Sequence, residues 1–146
     1  MADEFKASTC GVDHVGLSVG DLVSTRRFFC DCLGWRVVGE RPDYPAVFVS
    51  DGHGVLTLWQ VESPGKAVAF DRRANVGLHH LALAVADRAG LDALHQRVSS
   101  WPGVVVEFGP ERSGAGPKIH FIVREPSGVR IEFAFDPRLE HARKAR

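Results

Sequence analysis

Apolar and polar residues alternate most regularly in two short stretches. In Val15-Gly16-Leu17-Ser18-Val19 and in Leu81-Ala82-Leu83-Ala84-Val85 every second residue is a branched aliphatic, the period of a strand that buries one face. The two belong to similar longer phrases, Asp13–Val19 and His79–Val85, and superposing these places His14 on His80. Each histidine starts its strand on the face opposite the apolar set. It shares that face with Gly16 and Ser18 in one copy, and with Ala82 and Ala84 in the other.

Each strand is followed by an aspartate placed to cap a helix, Asp21 and Asp87. After Asp21, the residues Leu22, Phe28, Phe29, Cys32 and Leu33 form a helical apolar stripe, and Gly34 is the stop. After Asp87 the stripe is Leu91, Leu94 and Val98, ended by Trp101-Pro102-Gly103. Three strand-like runs then close each half. In the first half they are 36–39, 46–50 and 55–61, with turns at Pro42 and Asp51-Gly52. In the second half they are 104–108, 119–124 and 129–135, separated by Gly114-Ala115-Gly116-Pro117 and Pro126-Ser127-Gly128. The chain therefore reads as strand, helix, strand, strand, strand, twice over. The expected division of the single domain (1–146) is a first module at 11–62, a linker at 63–75 containing Pro64-Gly65, a second module at 76–135 and a tail at 136–146.

Two tandem βαβββ modules in an α+β domain resemble the vicinal oxygen chelate superfamily of glyoxalases, bleomycin-resistance proteins and extradiol dioxygenases. The phrase from His14 to Asp21, followed by Phe28-Phe29 and Leu33-Gly34-Trp35, is similar to the opening motif of that superfamily. Glu125-Pro126-Ser127-Gly128-Val129-Arg130-Ile131-Glu132-Phe133 is similar to its closing motif. The resemblance covers about residues 11 to 135. It implies sheets curved into a cleft, with metal ligands on the first and last strands of each module. Carried onto this sequence it names His14, His80 and Glu132 as ligands of one divalent ion (Fe2+, Mn2+, Ni2+ or Zn2+). Strand alternation supports Glu132, which lies between Ile131 and Phe133 and so presents a carboxylate opposite two apolar neighbours. Two imidazoles and one carboxylate leave positions open for substrate, as in the facial triads of non-haem iron sites.

At the fourth ligand position the sequence departs from glyoxalase I. Where that enzyme type has a carboxylate, the run Val55-Leu56-Thr57-Leu58-Trp59-Gln60 offers Thr57, Leu58 or, in a shifted register, Gln60. The triad that remains is closer to extradiol dioxygenases and fosfomycin-modifying thiol transferases, although Gly16 stands where those transferases usually have threonine. Further candidates surround it. His120, with the parity of Ile122, would shuttle a proton at a bound oxygen. Tyr44, the only tyrosine, either donates to an oxyanion or packs. His79 should face away from His80 in a regular strand, and His53 sits in an exposed turn. The Gly-rich segment Gly109 to Lys118 reads as a lip of the cleft from which Lys118 can reach an anionic substrate.

Composition narrows the field without redirecting it. Hydrophobic residues make up 45% and charged residues 25%, and eighteen basic residues balance eighteen acidic ones. That charge gives no general pull toward nucleic acid or membrane, and the basic cluster Arg143-Lys144-Ala145-Arg146 reads as a solvated end. No apolar run approaches the ~20 residues of a membrane span, and the polar start Met1–Thr9 has no signal-peptide core. Three cysteines, Cys10, Cys30 and Cys32, are an odd set that suits a reducing cytoplasm. A Cys-x-Cys metal site would need Cys30 and Cys32 to converge, but on a helix they diverge. The expected protein is a cytoplasmic homodimeric metalloenzyme acting on a small molecule, dioxygenase-like or a glyoxalase-related lyase or isomerase. The alternative is a metal-free antibiotic-binding protein of the bleomycin-resistance type, with Trp35, Trp59 and Phe48 as its aromatic surface.

Overall fold

The computed structural model describes residues 6–139. The basic cluster 143–146 and the first part of the polar N-terminal segment, 1–5, lie outside the described residues. The first module runs β1 (Val15–Val19), α1 (Leu22–Arg27), β2 (Arg36–Arg41), β3 (Ala46–Ser50) and β4 (Val55–Gln60). The second runs β5 (Leu81–Ala84), α2 (Arg88–Ser99), β6 (Val105–Arg112), β7 (Ile119–Arg124) and β8 (Arg130–Phe135). Each module makes one four-stranded mixed sheet, ordered β1-β4-β3-β2 and β5-β8-β7-β6. The first strand of each module lies parallel to its last, and the other pairings are antiparallel.

The helix starts follow from the capping aspartates. Asp21 accepts from the Ser24 amide at 3.0 Å, and Asp87 accepts from the Gly90 amide at 2.6 Å, each satisfying an amide that has no partner within its helix. α1 then widens into a π-helical turn, Phe28–Cys32, in which the Leu33 amide donates five residues back to Phe28 O. A widened turn re-phases the stripe, and Phe28, Phe29 and Cys32 are all 0–1% exposed. Gly34, at φ +78°, ends it in a conformation that suits glycine.

Buried residues of both modules merge into one cluster. Leu17, Val19, Phe28, Phe29 and Leu58 come from the first module, and Leu91, Val98, Phe121, Ile131 and Phe133 from the second. Each of the four phenylalanines contributes about 1.5–3 kcal/mol through burial. Trp35 belongs to this core, only 8% exposed with its ring edge-on to Phe29 at 5.4 Å, so it is not the cleft aromatic that the sequence suggested. Cys32 is buried and Cys30 half-buried, and burial raises both thiol pKa values. Thiols of that kind are packing residues rather than nucleophiles.

A buried polar clip joins the modules. The Thr25 hydroxyl, on α1, donates to Glu125 Oε2 at 2.7 Å, while the Ser127 and Val129 amides donate to Glu125 Oε1 at 2.9 and 3.0 Å. Ser127 Oγ accepts from the Asp21 amide and lies 2.8 Å from Thr25 Oγ1. Glu125 in the closing motif thus docks the β7–β8 turn onto the start of α1. Among the described residues no helix is long and apolar enough to cross a membrane.

Candidate functional site

The face of the second sheet turned away from the core is built around Glu132. Ile131 and Phe133 point into the core at 0% and 2% exposure, so alternation turns Glu132 the other way. It lies between Ala82 on β5 and Ile122 on β7. The carboxylate is nonetheless only 5% exposed, and a buried charge needs partners. His120 Nδ1 lies 2.8 Å and Lys118 Nζ 3.3 Å from Oε1, and His80 Nε2 lies 3.0 Å from Oε2. Burial alone would raise the Glu132 pKa. The His120 hydrogen bond and the Lys118 ammonium outweigh burial and hold the pKa below the ordinary carboxylate value.

His79 does not face away from His80. Both residues precede β5, outside the regular strand, so strand alternation does not govern them. Their rings meet edge-on at 5.1 Å, with the two Nδ1 atoms 2.8 Å apart. Behind them stands Arg130, two residues before Glu132 on β8. Its Nη1 reaches His79 O at 3.0 Å and His79 Nδ1 at 3.1 Å, and its Nε and Nη2 bind Glu107 at 3.0 and 2.8 Å. Partial burial, then the Arg130 and His80 charges, lower the His79 pKa.

The corresponding face of the first sheet carries a cleft of about 870 Å³ whose lining includes His14, Tyr44, Phe48, Thr57 and Trp59 together with the charged residues Asp13, Glu40, Arg41 and Asp43. His14 is half-exposed, with Nδ1 2.6 Å from Asp13. Tyr44 and Trp59 pack edge-on at 4.6 Å, Phe48 lies 5.8 Å from Trp59, and the Arg41 guanidinium sits 6.0 Å over Phe48. Of Thr57, Leu58 and Gln60, Thr57 is the one that lines this cleft. Leu58 is in the core at 0% exposure, and the Gln60 side chain is taken up by Leu22 N and Gly20 O, both at 2.8 Å. The register makes Thr57 the counterpart of Glu132, because Gly16 pairs with Thr57 as Ala82 pairs with Glu132. The fourth ligand position therefore holds a hydroxyl, and that hydroxyl already accepts from Trp59 Nε1 at 2.8 Å. A Cβ on Gly16 would come within 3.2 Å of Thr57 Oγ1, so a threonine at position 16 would crowd this corner.

The structure thus brings His80, Glu132 and His120 together, and places His14 and Tyr44 in the cleft beside the other sheet. His80 Nε2 and Glu132 Oε2, 3.0 Å apart, have the separation of two adjacent ligands on an ion with bonds of about 2.1 Å, so this pair fits a divalent metal. Among the described residues, however, no group of three His, Cys, Asp or Glu is placed to hold one. Two further features were not expected from the sequence. Lys118 touches Glu132 directly, and Arg130 with Glu107 backs the histidine pair; Arg130's shared parity with Glu132 was the available signal. Instead of a lip from Gly109 to Lys118, β6 continues to Arg112, pairing Glu111 with His120 and leaving a shorter loop. His53 stays in an exposed turn that Asp51 organises.

The comparisons with known proteins agree with this architecture. The family model of the Glyoxalase/Bleomycin resistance protein/Dioxygenase superfamily matches residues 11–133. A catechol-2,3-dioxygenase of Bacillus subtilis (strain 168) is 32% identical over 81 residues, which are 53% of this chain and only 27% of that protein. Two solved structures share the fold. A glyoxylase/bleomycin resistance protein/dioxygenase domain from Frankia sp. EAN1pec has a TM-score of 0.75 at 24% identity, covering 88% of this chain and 98% of that one. A lactoylglutathione lyase from Agrobacterium tumefaciens has a TM-score of 0.67 at 23% identity, covering 88% and 96%. With the family match spanning both modules, the chain belongs to the glyoxalase/bleomycin resistance protein/dioxygenase superfamily.

Proposed function

We propose that the protein is a divalent-metal-dependent enzyme that chelates two adjacent oxygens of a small-molecule substrate, dioxygenase-like in its ligand set. Its site would be completed across a two-fold homodimer, with His80 and Glu132 of one protomer facing His14 of the partner subunit. The observation that carries this reading is the shielded Glu132 carboxylate with His80 Nε2 at 3.0 Å, while His14 stands at the repeat-equivalent position in a cleft of its own. A bound divalent ion would polarise a substrate oxygen and lower its pKa.

The chain's own residues supply the rest. His120 holds a proton on Nδ1 toward Glu132, which leaves its other ring nitrogen to accept one from substrate. The Lys118 ammonium favours a substrate that binds as an anion. The Thr57 hydroxyl accepts from Trp59, so its own proton is available to a substrate oxygen. No carboxylate on β4 is present to act as base, which disfavours a glyoxalase-type isomerisation.

Complementation tests the proposal. His14→Ala and Glu132→Ala proteins, each unable to bind zinc tightly, are mixed under mild denaturation and reassembled. In a hybrid dimer one site pairs an intact His14 with an intact Glu132 and the other has lost both, so about a quarter of the sites should recover zinc binding. No recovery, although hybrids form, would overturn the shared site.

The acidic and aromatic cleft favours a second reading, a binding protein for cationic aromatic compounds. Asp13, Glu40 and Asp43 outnumber Arg41 there, around Tyr44, Phe48 and Trp59. Under that reading, bleomycin quenches Trp59 fluorescence with equal affinity in wild type and Glu132→Ala.

A further inference from the structure

We propose that the Thr57 hydroxyl is a specificity-determining donor in the first-sheet cleft, which takes a flat heteroaromatic ligand presenting a hydrogen-bond acceptor at its ring edge. This rests on the reading of that cleft as the ligand site. Thr57 is only 6% exposed, and its hydroxyl is half satisfied. An indole N–H can only donate, so Trp59 Nε1, at 2.8 Å, occupies one lone pair of Thr57 Oγ1. Among the described residues the hydroxyl has no other hydrogen-bond partner, which leaves its proton over. The two ways for a ligand to engage it are not equivalent. A ligand acceptor takes the proton and leaves unused only a lone pair, which buried oxygens tolerate. A ligand donor takes the second lone pair and strands the proton, at the full desolvation penalty of an orphaned donor. The site therefore selects acceptors, such as a pyridine-type nitrogen or a carbonyl oxygen.

The surroundings of the hydroxyl specify the rest of the ligand. Tyr44 meets Trp59 edge-on at 4.6 Å and Phe48 lies 5.8 Å from Trp59, and all three rings line the cleft. Because Thr57 Oγ1 sits at the pyrrole edge of Trp59, a ring held against these side chains meets the hydroxyl with its own edge. Gly16, the β1 partner of Thr57, keeps the approach open. A Cβ there would lie 3.2 Å from Thr57 Oγ1 and 3.6 Å from Trp59 Nε1. The space that any other side chain would take is thus the space beside the hydrogen-bonded pair, and glycine leaves it to the ligand.

Quinoline and indole test this as two flat bicyclic rings, one with an acceptor nitrogen and the other with a donor N–H. In mildly alkaline buffer both are uncharged, so the carboxylates of Asp13, Glu40 and Asp43 favour neither. Each probe is titrated into nitrogen-15-labelled protein without added metal, and the amide of residue 16 reports binding. The readout is the ratio of quinoline affinity to indole affinity. Trp59→Phe removes the N–H that could stand in for the hydroxyl, keeps an aromatic wall, and should keep the wild-type ratio. Adding Thr57→Val, which has the same shape without the hydroxyl, should lower that ratio about 2–10-fold, the worth of one net hydrogen bond. Gly16→Ala closes the approach and should lower the ratio as well; it decides alone if the double variant fails to fold. A ratio unchanged by these substitutions would overturn the donor site and leave the cleft as a ligand site. No shift at residue 16 with either probe would remove the cleft as a ligand site, and the donor site with it.

Discussion

Replacing Glu125 separates the worth of its hydrogen bonds from the cost of its charge. In Glu125→Ala the Ser127 and Val129 amides lose their acceptor in a site that is 1% exposed, while the Thr25 hydroxyl can still turn to Ser127 Oγ at 2.8 Å. Two orphaned donors at about 1–3 kcal/mol each, plus the void left behind, give a loss of about 3–5 kcal/mol. For a chain of this size that lowers Tm by about 10 °C. Glu125→Gln can satisfy every group. Its oxygen takes the two amides, its NH2 donates to Thr25 Oγ1, and the Thr25 proton turns to Ser127. Burial raises the Glu125 pKa, so the folded state holds the proton more tightly than the unfolded chain does. The sign follows by linkage: wild-type stability falls as pH rises from the ordinary carboxylate value near 4.3 through the raised folded-state pKa. The glutamine protein lacks that loss. It should match wild type near pH 4 and be the more stable of the two near pH 8. Urea unfolding at both pH values measures this. A glutamine variant as unstable as the alanine one, or a gap to wild type that does not change with pH, would refute the account.

Light scattering at micromolar concentration should give the mass of a two-fold dimer; monomer mass across that range would remove the partner that His14 needs. His120→Ala should keep zinc affinity within a few-fold but lower turnover by about 10²–10⁴, the contribution of a positioned acid or base. Unchanged turnover would take His120 out of the chemistry and leave the ligands in place. Assayed with iron(II), manganese and nickel, the protein should cleave members of a catechol panel in preference to isomerising the hemithioacetal of methylglyoxal and glutathione. Efficient isomerisation would show that a β4 carboxylate is dispensable.

The elements were legible because each half of the chain carries a period-two strand, a capping aspartate and a stripe in fixed order. Alternation also separated Glu132 from Ile131 and Phe133, which is a local property of one strand. What escaped lay where local rules lapse. His79 and His80 precede the strand whose pleat was used to orient them. Glu107 sits in a bulge, and the true end of β6 depends on its pairing with β7. The choice among Thr57, Leu58 and Gln60 turned on a register that only the β1–β4 ladder sets. Trp35 and Trp59 are equally aromatic in sequence, and only packing sends one to the core and the other to the cleft. Strand faces were readable, but whether the faces of two modules meet within one chain is a matter of docking that periodicity does not encode.

Within each sheet, β1 pairs with β4 and β5 with β8, and among the described residues neither has another strand neighbour at its far edge. The opening strand of each module is therefore held by the closing one, about forty residues later in synthesis in the first module and about fifty in the second, and must wait for it. Until then an alternating strand and its leading histidine have nothing to zip onto, and loop closure has to be accomplished before any ladder bond forms. Each module should thus mature in one late step, with helix and inner hairpin first and the histidine-bearing edge last. The residues proposed to meet a metal are the ones that reach their places at the end of folding, so a lesion anywhere in β4 or β8 should unseat a histidine encoded far upstream.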